Sequence, residues 1–248
     1  MKKVILTAFI LLTFQGAAMA QDAMSRTIVD TPTAGLIPKG NYAFGVRLSP
    51  SGTTLGELVL GVFDRFELGV SYGGRNIVGS GDVDWYPRVE FQAKYRVIDE
   101  SLGFPAIALG YNSQGQDGYS STLDRYTVKS RGFYGVLSKN YRFLGEMGLH
   151  AGVGMSMEGT GEDENEPDLF LGITKSINPD FLIMLEYDLP ISSDSIAESL
   201  DEGEGYFNVG VRVKFVEHLF LELDLRNINE NARYNNRTVQ IVYESPLF

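Results

Sequence analysis

Beyond residue 40 the chain alternates apolar and polar side chains with a period of two, and no stretch of useful length follows the 3.6-residue period of a helix. In one run Met147, Leu149, Ala151, Val153 and Met155 share a face, with Glu146, Gly148, His150, Gly152, Gly154 and Ser156 opposite. Another sets Val89, Phe91, Ala93, Tyr95 and Val97 against Arg88, Glu90, Gln92, Lys94 and Arg96. A third sets Leu219, Leu221, Leu223 and Leu225 against Phe220, Glu222, Asp224 and Arg226. The pattern predicts twelve strands: Tyr42–Leu48, Gly56–Val62, Phe66–Gly73, Arg88–Ile98, Pro105–Tyr111, Gly132–Tyr141, Glu146–Ser156, Asp168–Ser176, Phe181–Asp188, Tyr206–Phe215, Leu219–Arg226 and Arg237–Glu244. In the sixth, Phe133/Gly135/Leu137 and Tyr134/Val136 compete for the apolar face.

Alternation alone leaves open whether the apolar side meets a protein core or lipid, because a soluble sandwich alternates too. Connection lengths decide. The links after strands 2, 4, 6, 8 and 10 are tight, around Asp64-Arg65, Asp99–Gly103, Arg142–Gly145, Asn178–Asp180 and Val216–His218. Those after the odd-numbered strands are mostly longer and polar, the longest around Asn112–Arg131 and Leu189–Gly205. Long loops gathered at one end of an even number of strands predict an all-β, antiparallel up-and-down transmembrane barrel of about twelve strands. In hydrocarbon each unpaired backbone N–H or C=O costs several kcal/mol, so such a sheet must close on itself.

Aromatic residues mark two rims. Phe66, Tyr95, Phe104, Tyr141, Phe143, Phe181 and Phe215 lie beside tight turns, and Tyr72, Tyr86, Tyr111 and Tyr187 beside long loops. The terminal Phe248 resembles the assembly signal read by the barrel-assembly machinery, although Pro246 interrupts the strand before it. At the other end Lys2 and Lys3, the apolar run Val4–Phe14 and Ala18-Met19-Ala20 read as an export leader over residues 1–20, too short for a spanning helix. The expected organisation is a leader at 1–20, a periplasmic or plug segment at 21–40 and a barrel at 41–248. That implies a bacterial outer membrane of the Gram-negative type, with both termini periplasmic and outer-membrane lipid and lipopolysaccharide as neighbours. Asp22–Gly40 contains Pro32 and Pro38, which disfavour regular pairing; as a plug it would oppose an open pore.

Composition narrows the chemistry. Asp and Glu number 32 against 21 Lys and Arg, which argues against nucleic acid as a partner. There is no cysteine, hence no disulfide, thiolate metal site or lipoprotein anchor. No cofactor or metal site is expected. The inward face of the barrel should carry Arg47, Glu57, Glu67, Arg88, Glu90, Lys94, Arg96, His150, Glu186, Asp188, Arg212, Lys214, Glu222, Asp224 and Arg226, with both signs interspersed. If Val216–His218 is a three-residue turn, Arg212 stands opposite Glu222.

Motif by motif, the structural explanation outweighs the catalytic one. His150 and His218 are the only histidines; His218 sits in a turn, and His150 points inward without a recognisable nucleophile or acid motif. Glu162–Asp168 and Asp194–Glu204 are acidic runs without the ligand spacing of a calcium loop. Gly152-Val153-Gly154 lacks the third glycine and following helix of a nucleotide loop, and inward glycines leave room in a lumen. The sequon at Asn236-Arg237-Thr238 has meaning only in a eukaryotic secretory setting.

The segments Asp30-Thr31-Pro32-Thr33-Ala34-Gly35 and Gly69-Val70-Ser71-Tyr72-Gly73-Gly74 resemble the YjbH family, linked to exopolysaccharide production. The resemblance implies an outer-membrane location and a role in polysaccharide export, and assigns no site residue. Three functions follow as expectations: a non-enzymatic narrow channel or envelope component tied to polysaccharide export, passing small solutes or polysaccharide; a scaffold or adhesion barrel using its acidic loops; and a barrel hydrolase centred on His150.

Overall fold

The computed structural model describes residues 25–142, 144–158, 167–189, 205–229 and 236–247. The strands are β1 (Asn41–Ser49), β2 (Thr53–Phe63), β3 (Phe66–Arg75), β4 (Asp84–Trp85), β5 (Glu90–Ile98), β6 (Ala106–Asn112), β7 (Gln116–Ser120), β8 (Arg125–Val128), β9 (Gly132–Arg142), β10 (Glu146–Met155), β11 (Asp168–Asn178), β12 (Phe181–Leu189), β13 (Tyr206–Val216), β14 (Leu219–Arg226) and β15 (Asn236–Pro246). All but β4, β7 and β8 belong to one antiparallel wall, in which each strand pairs with the next wall strand along the chain. β1 then pairs with β15, from Asn41↔Pro246 to Leu48↔Val239, so the twelve-stranded barrel is closed. These are the twelve strands the alternation predicts, with ends shifted by no more than three residues.

The wall is apolar outside. Phe91 is 60% exposed and Leu223 50%, whereas their sequence neighbours Glu90 and Glu222 are buried. A soluble protein does not leave so continuous an apolar band in water, and lipid removes its cost. The ambiguity in β9 resolves for a packing reason. Tyr134 and Val136 turn inward, the Tyr134 ring filling the space over Gly110, and Phe133 and Leu137 face out.

Four of the tight turns carry a register shift beside them, between Gly61 and Phe63, Arg96 and Ile98, Ser176 and Asn178, and Lys214 and Val216. An extra residue in one strand sharpens the local twist, which lets a short turn close at a barrel rim. Past the last of these, Arg212 pairs with Glu222, the register that a three-residue turn requires.

Three expectations need correction. The first loop is only Pro50–Gly52, because β1 and β2 extend further than their alternation. Two of the connections read as longer and polar contain strands that the alternation does not predict: β4 pairs with the end of β3, and β7 with β8 as a hairpin. Tyr86 is buried rather than part of a rim girdle, its ring meeting Tyr126 edge-on at 5.0 Å. The leader, Phe143, Phe248, Asp194–Glu204 and positions 162–166 of the first acidic run lie outside the described residues.

Candidate functional site

The lumen is where the charged residues converge, and residues 25–40 occupy it. Ile28 N–H donates to Thr31 O at 2.9 Å and Thr33 N–H to Arg26 O at 3.1 Å, which folds this segment into a tight turn with Val29 and Asp30 at its tip. Its apolar side chains pack on the wall in three places. Ile28 and Val29 meet Met184, Ala34 joins Ala106, Ala108, Val136 and Phe170, and Ile37 joins Ala43 and Val59. Wall glycines receive it: a Cβ at Gly172 would overlap Ile28, one at Gly61 would overlap the backbone of Ile37 and Pro38, and one at Gly210 would lie 3.0 Å from Val29.

Polar contacts hold the same segment. Glu186 Oε2 accepts the N–H groups of Val29, Asp30 and Thr31 at 3.1, 3.0 and 2.9 Å and the Thr31 hydroxyl at 2.7 Å, while Oε1 accepts Asn208 Nδ2 at 2.8 Å. Asp30 answers two wall arginines, Arg47 at 2.8 Å and Arg226 at 2.5 Å. Arg26 reaches Glu57 at 2.8 Å, and Lys94 donates to Gly35 O at 2.7 Å and pairs with Glu67 at 3.2 Å. Arg96 donates to Ala34 O and Glu67 accepts Ile37 N–H. A buried charge is tolerated only when paired and hydrogen-bonded, so these wall groups and the inserted segment complete one another.

Of the fifteen residues expected to line the lumen, Arg47, Glu67, Glu90, Lys94, Arg96, His150, Glu186, Asp188, Glu222, Asp224 and Arg226 are buried, and Glu57 and Arg212 are partly so. Arg212 donates to Glu222 at 2.6 Å and also to Ser25. Asp188 pairs with Arg131, a residue that the strand pattern gave no reason to select. Lys214 is half-buried near a tight turn. Arg88 departs from the expectation. Pro87 delays the strand until Glu90, so Arg88 lies exposed at the rim and donates to Glu90 at 2.8 Å. Arg26, Asp30 and Thr31 also belong to the lumen, but they lie in the segment that has no strand pattern to read.

His150 sits beneath the inserted segment. Its Nδ1 is 2.8 Å from Ser138 Oγ and its Nε2 3.2 Å from Thr174 Oγ1, and Ser138 Oγ accepts Ala34 N–H at 2.9 Å. Two hydroxyls thus occupy the ring. Through Ser138 the ring is linked to the backbone of the inserted segment.

The β7–β8 hairpin bends into the opposite mouth. Gln114 accepts from Ser71 at 2.8 Å, Tyr126 donates from its hydroxyl to Glu90 at 3.3 Å and from its backbone to Glu158 at 3.1 Å, and Tyr86 donates to Asp117 O at 2.5 Å. Burial pushes the Glu158 carboxyl up to about 7, with Glu90 adding to the rise and donors from Tyr126 and Ser130 opposing it. A raised acid holds its proton more tightly when folded. The docked loop is therefore fully stabilised below the ordinary value of 4.5 and loses that contribution as pH rises through about 7. Limited proteolysis within 113–131 should be slower at pH 5 than at pH 8, and Glu158→Gln should abolish the difference.

No protein-family model matches the chain, and no curated protein is similar to it in sequence. Among solved structures the KdgM porin is similar over 82% of this chain and 98% of its own, at 11% identity and a TM-score of 0.52. The KdgM porin in complex with disordered oligogalacturonate gives the same values. The NanC porin is similar over 82% of this chain and 98% of its own, at 10% identity and a TM-score of 0.47. At such identities the likeness extends to the fold, an outer-membrane-type barrel of twelve antiparallel strands.

Proposed function

We propose that this protein is a non-enzymatic outer-membrane channel shut at rest by its own residues 25–40, with both chain ends on the periplasmic side. The observation that carries the reading is how this filling is attached. It leads into the wall through Gly40 and Asn41, and its contacts inside are side-chain hydrogen bonds, ion pairs and small apolar clusters. The backbone ladder of the barrel closes through β1 and β15 without it. Withdrawing the segment therefore leaves a paired wall around a charged passage, as a gate requires. The orientation rests on Asn41 and Pro246 sharing the rim of the tight turns, the periplasmic rim in barrels of this kind.

Planar-bilayer recording tests the reading. The wild-type protein should be silent or open rarely, and a variant whose mature chain begins at Pro38 should conduct steadily. A deletion variant that assembles, judged by heat-modifiable gel migration, and still passes no ions would overturn the channel and leave a membrane scaffold.

Polysaccharide traffic enters through the cargo. The segment Asp30 to Gly35, which carries part of the YjbH resemblance, runs from the tip of the plug toward the wall, and the KdgM porin has been described in complex with oligogalacturonate. Both make saccharides the solutes to try in liposome swelling with the deletion variant.

A further inference from the structure

We infer that Arg47 and Arg226 form a two-sided latch that couples the N-terminal plug to the β7–β8 hairpin, so that release of either closure loosens the other. The inference assumes the occluded lumen but does not require that the barrel conducts.

The geometry is a cluster of five side chains and one backbone carbonyl. Arg47 Nη1 donates to Asp30 of the plug and to Gln116 of the hairpin, both at 2.8 Å, and its Nη2 donates to Val29 O at 2.7 Å. Arg226 Nε donates to Asp30 at 2.5 Å, and its Nη1 reaches the Asp117 carboxylate at 3.3 Å. The plug comes from one mouth and the hairpin from the other. These two guanidiniums bind both segments, and their cationic charge is matched by one carboxylate from each. Both arginine side chains are largely buried, so neither retains its full charge hydration.

Coupling needs a second arrangement for the arginines to adopt, and the wall supplies one. Glu222 Oε1 and Asp224 Oδ1 are buried and accept no hydrogen bond among the described residues. Asp224 lies two positions before Arg226 on the inward face of β14, and Arg47 Nε already donates at 3.2 Å to Gln240, the residue of β15 paired with Glu222. With the plug docked, Asp30 and Val29 O hold the guanidiniums toward the hairpin. Once the plug leaves, the unsatisfied carboxyl oxygens offer the guanidiniums acceptors on the wall, and the hairpin loses its donors. Release of the hairpin weakens the plug by the same factor, since coupling between two binding events is reciprocal.

The chain contains no cysteine, so Val128→Cys in β8 and Thr33→Cys in the plug, both at buried positions, each give a single thiol whose maleimide labelling reports one segment. Asp30→Ala should speed labelling at position 128 by about tenfold, and Gln116→Ala with Asp117→Ala should speed labelling at position 33 by a similar factor. Both cross-effects should vanish when Arg47 and Arg226 are replaced by Met. The Gln116 and Asp117 substitutions lie outside the wall, so this arm holds even if the arginine variants fail to assemble. The latch is refuted if each substitution accelerates only its own segment, or if Asp30→Ala slows labelling at 128, which would mean that plug and hairpin compete for the arginines. Because thiol reactivity rather than ion flow is read, a barrel that never conducts can still pass this test, and a conducting one can fail it.

Discussion

Replacing Glu186 by Ala should free the plug and turn a silent barrel into a frequently open one. One carboxylate oxygen accepts three successive backbone N–H groups and a hydroxyl from residues 29–31, all within 3.1 Å. Hydrogen bonds to a charged acceptor each contribute about 1.5–3 kcal/mol, and donors left without a partner lose about 1–3 kcal/mol apiece until water reaches them. Even after hydration of the vacated space, a net loss of about 3 kcal/mol is expected, which shifts the docking equilibrium by more than about a hundredfold. Glu186→Gln keeps an acceptor in the same place without its charge and should fall between the two. The measurements are open probability in planar bilayers and labelling of Thr33→Cys. An alanine variant as silent and as protected as wild type would show that Glu186 is not what holds the plug.

The second large effect is steric. Gly172 faces inward from β11, paired with Glu186 on β12 and His150 on β10, and a side chain there would occupy the volume of Ile28. Gly172 is not among the residues with positive φ, so its backbone accepts other residues. Leu at 172 should therefore leave the wall intact and exclude the plug tip, since overpacking a fitted site costs about 1–3 kcal/mol. Conductance should rise, and Ile28→Ala in the same chain should restore closure by returning the lost space. A Gly172→Leu barrel that stays shut, or an opening that Ile28→Ala does not reverse, would remove shape complementarity from the account of docking. Rescue separates this mechanism from general damage to the wall, which a smaller plug residue cannot repair.

These two sites differ in how far they could be read from the sequence. Glu186 and Gly172 are assigned to the inward face by strand alternation alone, because a period of two admits only two faces and the other is apolar. Their use is not readable. Gly172 looks like any small lumen residue until Ile28, 144 positions earlier, is found beside it. His150 shows the same limit: its inward direction follows from Met147, Leu149 and Ala151, but Ser138 and Thr174 become its partners only through the registers of β9 and β11. Arg88 shows the reverse error, where alternation begins at Arg88 but the strand, following Pro87, begins only at Glu90.

By itself the sequence determined most of the wall: twelve strands, the inward or outward face along all of them but β9 and the start of β5, the tight ends, and the pairing of Arg212 with Glu222. Those properties are local, set by periodicity and turn length within neighbouring segments, so a one-dimensional pattern carries them. Tertiary structure decided what fills the wall. The plug and the hairpin have no periodicity to announce them, and their positions depend on charges and glycines contributed by strands far apart in the chain. Only closure of the sheet brings Arg47, Arg226, Glu186 and Gly172 to the same interior, where burial makes each unpaired group costly and the inserted segments become the partners that satisfy them.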